Sequence, residues 1–329
     1  MTAIPTRTGF LRACLQALNS ADIPFCISRN HHEFWEDGPS DVDMLVSPGR
    51  LEEVVLCITS AACRTGYRVV ARTLFDNLCI VFHAPGAGYV RLDLDTAVRW
   101  QTRTLLAADV VLESRIPRDG LPIPSPHHEA LILLCQCAWS GKAKPAYRER
   151  LATLNNTDTR VSGFLESQFQ FDSESLTRLI AGESAAHLQL CFRRARPPQN
   201  RIANSLAMIS RSLGRISSPP GIVICCPLLQ DQLRTTTAAK LGLIFPTAKE
   251  ARGNDSLLQI LRAVFRGGVV WADCPRQSPA VKIARAWVGK QRSFQWADGQ
   301  IQHTASGRCA GADSAADFIG IVLAEGSHC

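Results

Sequence analysis

Two aspartates one residue apart, Asp41 and Asp43, have the type and spacing that suit metal chemistry. They directly precede a short, β-prone apolar run from Met44 to Val46. Side chains two positions apart on a strand project from the same face, so both carboxylates can ligate one or two hard cations through oxygen. The same spacing also suits acidic turn residues that cap and solvate the entrance of a strand. Both interpretations stay open at this point.

A later strand offers a third carboxylate. Between Tyr89 and Asp95, apolar residues alternate with polar ones. Arg91, Asp93 and Asp95 therefore share one face of the predicted strand, and either aspartate is a candidate. Cations held by three such acids would orient a triphosphate and activate a hydroxyl for in-line attack. The pattern thus predicts a Mg²⁺ (or Mn²⁺) site suited to nucleotidyl transfer.

This arrangement resembles the nucleotidyltransferase superfamily, whose pattern is a helix, a short strand, a Gly-Ser turn, an Asp-x-Asp strand and a later Asp. It is similar in particular to bacterial proteins in which such a domain precedes a thymidylate-kinase-like domain, often associated with polysaccharide assembly. By this resemblance Asp93, rather than Asp95, takes the third-acid position, where it binds metal or acts as base for the acceptor. The resemblance covers most of residues 8 to 155 and is carried by Ile27-Ser-Arg-Asn30, Ser40-Asp-Val-Asp-Met-Leu-Val46, Arg91-Leu-Asp-Leu94, Pro122-Ile-Pro-Ser-Pro-His-His-Glu129 and Tyr147-Arg-Glu-Arg-Leu151.

The turn that should hold the nucleotide departs from the family pattern. The family's Gly-Ser turn binds phosphates on backbone amides, whereas Ser28-Arg29-Asn30 stands in its place here. Arg29 is then expected to bind the phosphates, since its planar fork can pair with two phosphate oxygens. Asn30 and Ser40 complete the nucleotide-binding residues that the resemblance implies.

The last third of the chain resembles a thymidylate-kinase-like domain without its phosphate loop. Gly221 to Cys226 and Val269 to Asp273 are apolar runs typical of buried parallel strands, and Leu257 to Phe265 is predicted as a helix. Leu228 to Thr235 occupies the loop position and contains no glycine, although a phosphate loop needs glycines and a lysine. Arg234 could replace the charge of the lysine but not the backbone geometry. The resemblance therefore implies a kinase fold without kinase chemistry.

Composition and charge limit the domain number, the location and the class of partner that the sequence predicts. A chain of 329 residues with 46% hydrophobic and 20% charged residues can form two or three domains with ordinary cores. No run approaches the roughly 20 apolar residues of a membrane helix, and Met1 to Gly9 lacks a secretory-signal pattern, so a cytoplasmic location is expected. The 13 cysteines show no metal-binding spacing and are predicted to be buried small hydrophobes. A net charge of +7, partly concentrated between Arg193 and Arg215, supports a nucleic-acid partner only weakly, and none is expected.

The predicted fold class is α/β in three parts. Residues 1–115 form a nucleotidyltransferase-like mixed sheet with helices. Residues 116–217 form a helical region and basic linker, built around an apolar helix from His128 to Trp139. Residues 218–329 form a degenerate thymidylate-kinase-like, P-loop-type parallel α/β unit.

A weaker metal candidate lies at the start of the apolar helix, which Ser125 or Pro126 should begin. His127, His128 and Glu129 are consecutive there. Adjacent side chains on a helix diverge, so a capping or salt-bridging role is favoured over metal binding.

The predicted function is metal-dependent transfer of a nucleotidyl group from a nucleoside triphosphate to a small-molecule or glycan-intermediate acceptor. The alternative is a non-catalytic nucleotide-binding or assembly subunit, a double pseudoenzyme that binds a protein partner. Three acids at the expected positions favour the enzyme. Loss of both the Gly-Ser turn and the phosphate loop favours the alternative.

Overall fold

The computed structural model describes most of the first two thirds of the chain and shorter segments of the last third. The fold is α/β, with a mixed sheet in the first part and a mostly parallel sheet in the last. The described residues are 5–31, 34–35, 41–74, 77–101, 103–195, 222–226, 248–251, 257–265, 269–273, 279–288, 293–297, 300–306, 308–311, 319 and 322–323.

The first sheet has five strands in the order β1-β2-β5-β4-β3. The central pair, β2 and β5, is parallel, and the other neighbours are antiparallel. The mixed sheet expected for residues 1–115 is therefore present. Its strands are β1 (Phe25–Ile27), β2 (Val42–Val46), β3 (Arg68–Leu74), β4 (Leu78–Ala84) and β5 (Gly88–Asp95).

One face of this sheet packs against helices α1 (Arg7–Ser20) and α2 (Leu51–Arg64). Helix α1 begins where the Thr6 side chain accepts a hydrogen bond from the Gly9 amide, which satisfies one free donor of the first turn. Apolar residues of both helices form one buried cluster with alternate residues of β2, β4 and β5. Because successive side chains of a strand project from opposite faces, the remaining side chains of β2 and β5 lie on the other face of the sheet.

A helical layer covers the opposite face. One buried cluster joins Cys26 and Leu45 of the sheet to the helices that follow it, so these helices pack directly on the strands. The domain bounds at 115 and 217 stay predictions. The helices are α3 (Ala108–Glu113), α4 (Pro126–Ser140), α5 (Pro145–Thr157), α6 (Arg160–Phe169), α7 (Ser173–Ile180) and α8 (Ala186–Arg194).

Two short hairpins that the sequence did not predict connect the sheet to this layer. One pairs β6 (Ala97–Trp100) with β7 (Arg103–Ala107), and the other pairs β8 (Ile116–Arg118) with β9 (Leu121–Ile123). The second hairpin adds apolar side chains of β9 to the cluster under α1 and α2.

Helix α4 is the predicted apolar helix, and its start is confirmed. Ser125 is the N-cap and Pro126 the first helical residue, and the helix ends at Gly141, whose positive φ of 75° suits glycine. At 15 residues α4 is shorter than the roughly 20 residues that span a bilayer. No helix in the described ranges combines the length and apolarity of a membrane span.

The described strands of the last third form a second sheet in the order β11-β12-β10-β13-β14-β15, in which the first four are parallel. The predicted neighbours are confirmed, because Ile222 pairs with Val269 and Cys226 with Asp273. Residues 196–215 of the basic stretch and the loop position 228–235 lie outside the described residues. The elements are β10 (Ile222–Cys226), β11 (Ala248–Ala251), α9 (Leu257–Phe265), β12 (Val269–Asp273), α10 (Pro279–Val288), β13 (Ser293–Ala297), β14 (Gln300–His303) and β15 (Cys309–Gly311).

A buried ion pair fixes α4 to α5. Both carboxylate oxygens of Glu129 accept hydrogen bonds from Arg150, with each N···O distance 2.7 Å. The Glu129 side chain is almost fully buried, whereas the guanidinium keeps some contact with solvent. The salt-bridging role favoured for Glu129 from the sequence is thus observed, and the pair orients the two helices that cover the sheet.

We predict that Glu129→Gln lowers the free energy of unfolding by about 2–4 kcal/mol, because it leaves the Arg150 guanidinium without its anion. The matched control is Glu174→Gln, which removes the acid of the exposed Glu174–Arg178 pair on α7. That substitution should lower the free energy of unfolding by less than about 1 kcal/mol. Urea denaturation measures both, and equal losses would contradict a structural role for the buried pair.

Candidate functional site

Asp43 and Asp93 lie side by side at the centre of the first sheet. The parallel register of β2 and β5 places Asp43 opposite Asp93. Their strand neighbours Val42, Met44 and Leu92 belong to the core beneath α1 and α2, so both carboxylates face the helical layer. Their exposed fractions are only 2% and 5%. Two acids distant in sequence are therefore buried at one level of the sheet.

Two arginines pair with these acids. Arg29 forms a short ion pair with Asp43. Arg91 holds Asp93 through two bonds, from Nε to Oδ1 at 3.1 Å and from Nη2 to Oδ2 at 2.8 Å. Its Nη1 lies 3.6 Å from Oδ2 of Asp41. Asp41, Asp43 and Asp93 are thus brought together, and each has a guanidinium group beside it that opposes their mutual repulsion.

Burial and crowding shift the pKa values of Asp41, Asp43 and Asp95. Burial raises the pKa of both Asp43 and Asp41, whereas the charge of Arg29 lowers that of Asp43 and the charges of Arg91 and Arg29 lower that of Asp41. Burial, followed by the charge of Asp43, raises the pKa of Asp95 to about 7. The site therefore contains carboxylates whose charged forms depend on a nearby cation.

The Ser28-Arg29-Asn30 turn positions one of these cations. The Ser28 amide donates to the Asp43 carbonyl at 2.9 Å, which extends the pairing of β1 with β2 by one residue. Asn30 then adopts a φ of +52°, a left-handed conformation that asparagine tolerates better than most residues. The turn follows directly on the strand and brings Arg29 against Asp43. Ser40 lies outside the described residues.

A pocket of about 190 Å³ adjoins the acids on the side of α4. Arg29 and Asp95 line it from the sheet, Arg99 from β6 and Trp139 from the end of α4. Arg91 and Arg99 are functional candidates that the sequence interpretation did not assign. The alternation in β5 was the available signal for Arg91, because it places this residue on the same face as Asp93.

The fit of a metal ion to these residues depends on the two arginines. Within the described ranges, no group of three His, Cys, Asp or Glu side chains is arranged around a common point as metal ligands. Asp43 and Asp93 are adjacent and offer the oxygen ligands that Mg²⁺ prefers. Their oxygens are bonded to Arg29 and Arg91, however. As these acids are paired with the arginines, they do not form a cation site within the described ranges.

The histidines at the start of α4 form a packed cluster. Contrary to the expected divergence, the His127 and His128 rings lie together, with centroids 4.2 Å apart, and both contact Phe164. Nδ1 of His128 lies 2.9 Å from the Ser114 hydroxyl and 3.1 Å from that of Ser125. Burial lowers the pKa of His128 to about 4, which keeps the ring neutral. The two histidines therefore pack against Phe164 at the start of α4.

Comparisons with known proteins leave the family open. No model of a protein family matches the chain, and no curated protein matches it. A crystal structure described as that of a "putative nucleotidyltransferase from H. pylori" is similar to it at 10% sequence identity and a TM-score of 0.26, covering 61% of this chain and 94% of that protein. Such values establish neither a shared fold nor a shared activity. Function is therefore argued from the site itself.

We predict that Arg91→Gln destabilises the protein more than Asp93→Asn does. The first change leaves three crowded carboxylates with Arg29 alone, whereas the second also removes one repelling charge. We expect the free energy of unfolding to fall by about 2–4 kcal/mol for Arg91→Gln and by about 1–2 kcal/mol for Asp93→Asn. Urea denaturation without divalent cations measures both changes. Arg178→Gln, in an exposed pair, controls for loss of an arginine. The reverse order would show that the acids do not repel each other.

Proposed function

We propose that the first part of the chain transfers a nucleotidyl group from a nucleoside triphosphate to a hydroxyl or phosphate of a small molecule or glycan intermediate, with Mg²⁺ or Mn²⁺. The observation that carries the proposal is the register of β2 and β5, which aligns Asp43 with Asp93. Asp41 lies near the same guanidinium as Asp93. Buried acids at one level of a sheet are costly, and a role in binding cations gives a reason for them.

Asp41, Asp43 and Asp93 would hold the cation, which would orient the triphosphate and stabilise the charge that develops at its α-phosphate. Arg29 and Arg91 would exchange their carboxylates for phosphate oxygens, which they bind with similar bidentate geometry. Asn30 would lie beside the phosphates, next to Arg29 in the turn. The charge next to the acids would stay balanced, because a divalent cation would supply the two positive charges that the guanidiniums remove.

The proposed step is an in-line displacement. The acceptor oxygen loses its proton and forms a bond to the α-phosphorus. The bond from that phosphorus to the oxygen bridging to the β-phosphate breaks, and pyrophosphate leaves with the electron pair. Asp93 can accept the acceptor's proton only after Arg91 has released it, because both its oxygens are bonded in the present arrangement. Release of Arg91 to the phosphates would therefore activate the site.

A second candidate is a non-catalytic nucleotide-binding or assembly subunit. The observation that favours it is the arginine pairing, since Asp43 and Asp93 are each ion-paired with an arginine and Asp41 lies close to Arg91. In this case the guanidiniums replace the cation permanently. The charge network then stabilises the sheet and binds no metal.

The last third is proposed as a kinase-like unit without phosphoryl transfer. The parallel pairing of β10 with β12 and β13 supports a doubly wound layer. The lack of glycine between Leu228 and Thr235 argues against a phosphate-binding loop. This part would then contribute to assembly or to binding a protein partner.

Cation binding separates the two candidates. If the first proposal holds, Mn²⁺ should bind the full chain more tightly with a non-hydrolysable nucleoside triphosphate than without it, because the phosphates release the arginines from the acids. At 100 times Kd we expect Tm to rise by roughly 5–10 °C. Asp43→Asn should abolish the rise. Asp109→Asn, which removes an exposed acid on α3, should leave it unchanged.

Arg91→Gln provides the opposite change. It should increase Mn²⁺ binding without nucleotide, since it removes the competing cation, and decrease the gain that nucleotide provides. Free Mn²⁺ is measured by electron paramagnetic resonance alongside Tm. If neither Mn²⁺ nor Asp43→Asn changes the affinity for nucleotide, the transferase proposal is contradicted and the non-catalytic subunit is favoured.

A further inference from the structure

The pocket next to the acids has cationic groups from separate parts of the chain. Arg29 comes from the turn after β1, and Arg99 comes from β6 and donates to the Thr96 hydroxyl at 3.1 Å. Both arginines line the same cavity. Convergence of two arginines from different elements favours an anion, and the planar fork of arginine suits phosphate.

The remaining lining is suited to a polar ring. Asn77, Gln101 and Gln136 contribute amide groups, each of which can donate and accept hydrogen bonds. Gln101 has a φ of +54°, a left-handed conformation that is uncommon for glutamine and that keeps this residue in the turn between β6 and β7. Trp139 lines the pocket while 54% of its surface stays exposed. A partly exposed tryptophan beside amides can pack on the face of a ring.

Size limits the ligand further. The cavity of about 190 Å³ is below the ~300–1,000 Å³ of pockets for drug-sized molecules. It accommodates one ring with a phosphate rather than a complete nucleotide. Asp95 also lines the cavity. A phosphate would be repelled by that carboxylate and attracted by the arginines, so the uncharged hydroxyls of the ligand would face Asp95.

We propose that this pocket binds a phosphorylated, hydroxyl-bearing molecule of one ring, of which a sugar phosphate is the model. Arg99 binds its phosphate, and Arg29 lies between that phosphate and the triphosphate of the proposed reaction. The amides and Asp95 bind its hydroxyls, and Trp139 packs on the ring. As the binding site of the acceptor, the pocket rests on the proposed nucleotidyl transfer. As a binding site alone, it stands on the residues that line it.

Isothermal titration of the full chain tests the proposal with three probes at one ionic strength: glucose 1-phosphate, glucose and inorganic phosphate. Glucose 1-phosphate should bind at least tenfold more tightly than either other probe, because only it engages the arginines, amides and tryptophan together. The affinity for glucose 1-phosphate should fall about tenfold in Arg99→Gln and about threefold to tenfold in Trp139→Ala. Trp139 is exposed, so its variant should fold even if the Arg99 variant does not.

Arg178→Gln on α7, which removes an exposed arginine away from this pocket, is the matched control and should change nothing. Equal binding of inorganic phosphate and glucose 1-phosphate would overturn the proposal, and so would equal effects of Arg99→Gln and Arg178→Gln. Displacement of glucose 1-phosphate by a tighter-binding nucleoside monophosphate would overturn the assigned ligand class. Mn²⁺ titration of the same samples with the non-hydrolysable nucleoside triphosphate added separates the two proposals. Sugar-phosphate binding without Mn²⁺ binding under these conditions refutes only the transferase, and the converse refutes only the pocket.

Discussion

Burial of two carboxylates at one level of a sheet is the constraint on which the first part of this protein depends. Asp43 and Asp93 are partners in the parallel register of β2 and β5 and are almost inaccessible to solvent. An unpaired charge in such a place costs several kcal/mol, and two like charges cost more. Arg29 and Arg91 offset this cost with direct ion pairs. The arginines thus stabilise the resting fold by offsetting the buried charges.

The two faces of the first sheet differ in character, because one forms the apolar core and the other carries the charged side chains. Under α1 and α2, alternate residues of β2 and β5 are apolar and form a continuous buried cluster. On the opposite face the same strands present charged side chains, and the helical layer packs around them through Leu45 and Cys26. Glu129 and Arg150 hold α4 and α5 together within that layer. A pocket forms where α4 meets the charged part of the sheet, because polar side chains there cannot close into an apolar core.

The sequence predicted the elements with strong periodicity and missed what depends on tertiary contacts. Strict alternation in β5 and the apolar runs of β10 and β12 were sufficient to locate these strands. Helix α5 went unpredicted because Leu151 and Leu154 are its only fully buried residues. Arg91 was visible on the face of Asp93, but no local pattern shows which cation will neutralise a given acid. Arg99 was missed for a similar reason, since the hairpin that carries it precedes the helical layer and lacks a clear strand signal.

Arg29 connects the acids to the pocket. It pairs with Asp43 and also lines the cavity that contains Arg99 and Asp95. An anion that draws Arg29 into the pocket leaves Asp43 with a buried, uncompensated charge, which increases its attraction for a metal cation. By linkage, a cation at Asp43 would release Arg29 and strengthen anion binding by the same factor. In the proposed function, one side chain shared between two charged sites would be sufficient to couple them without any movement of the sheet. This coupling would be a role for the Ser28-Arg29-Asn30 turn that a Gly-Ser turn, with no side-chain cation, could not perform.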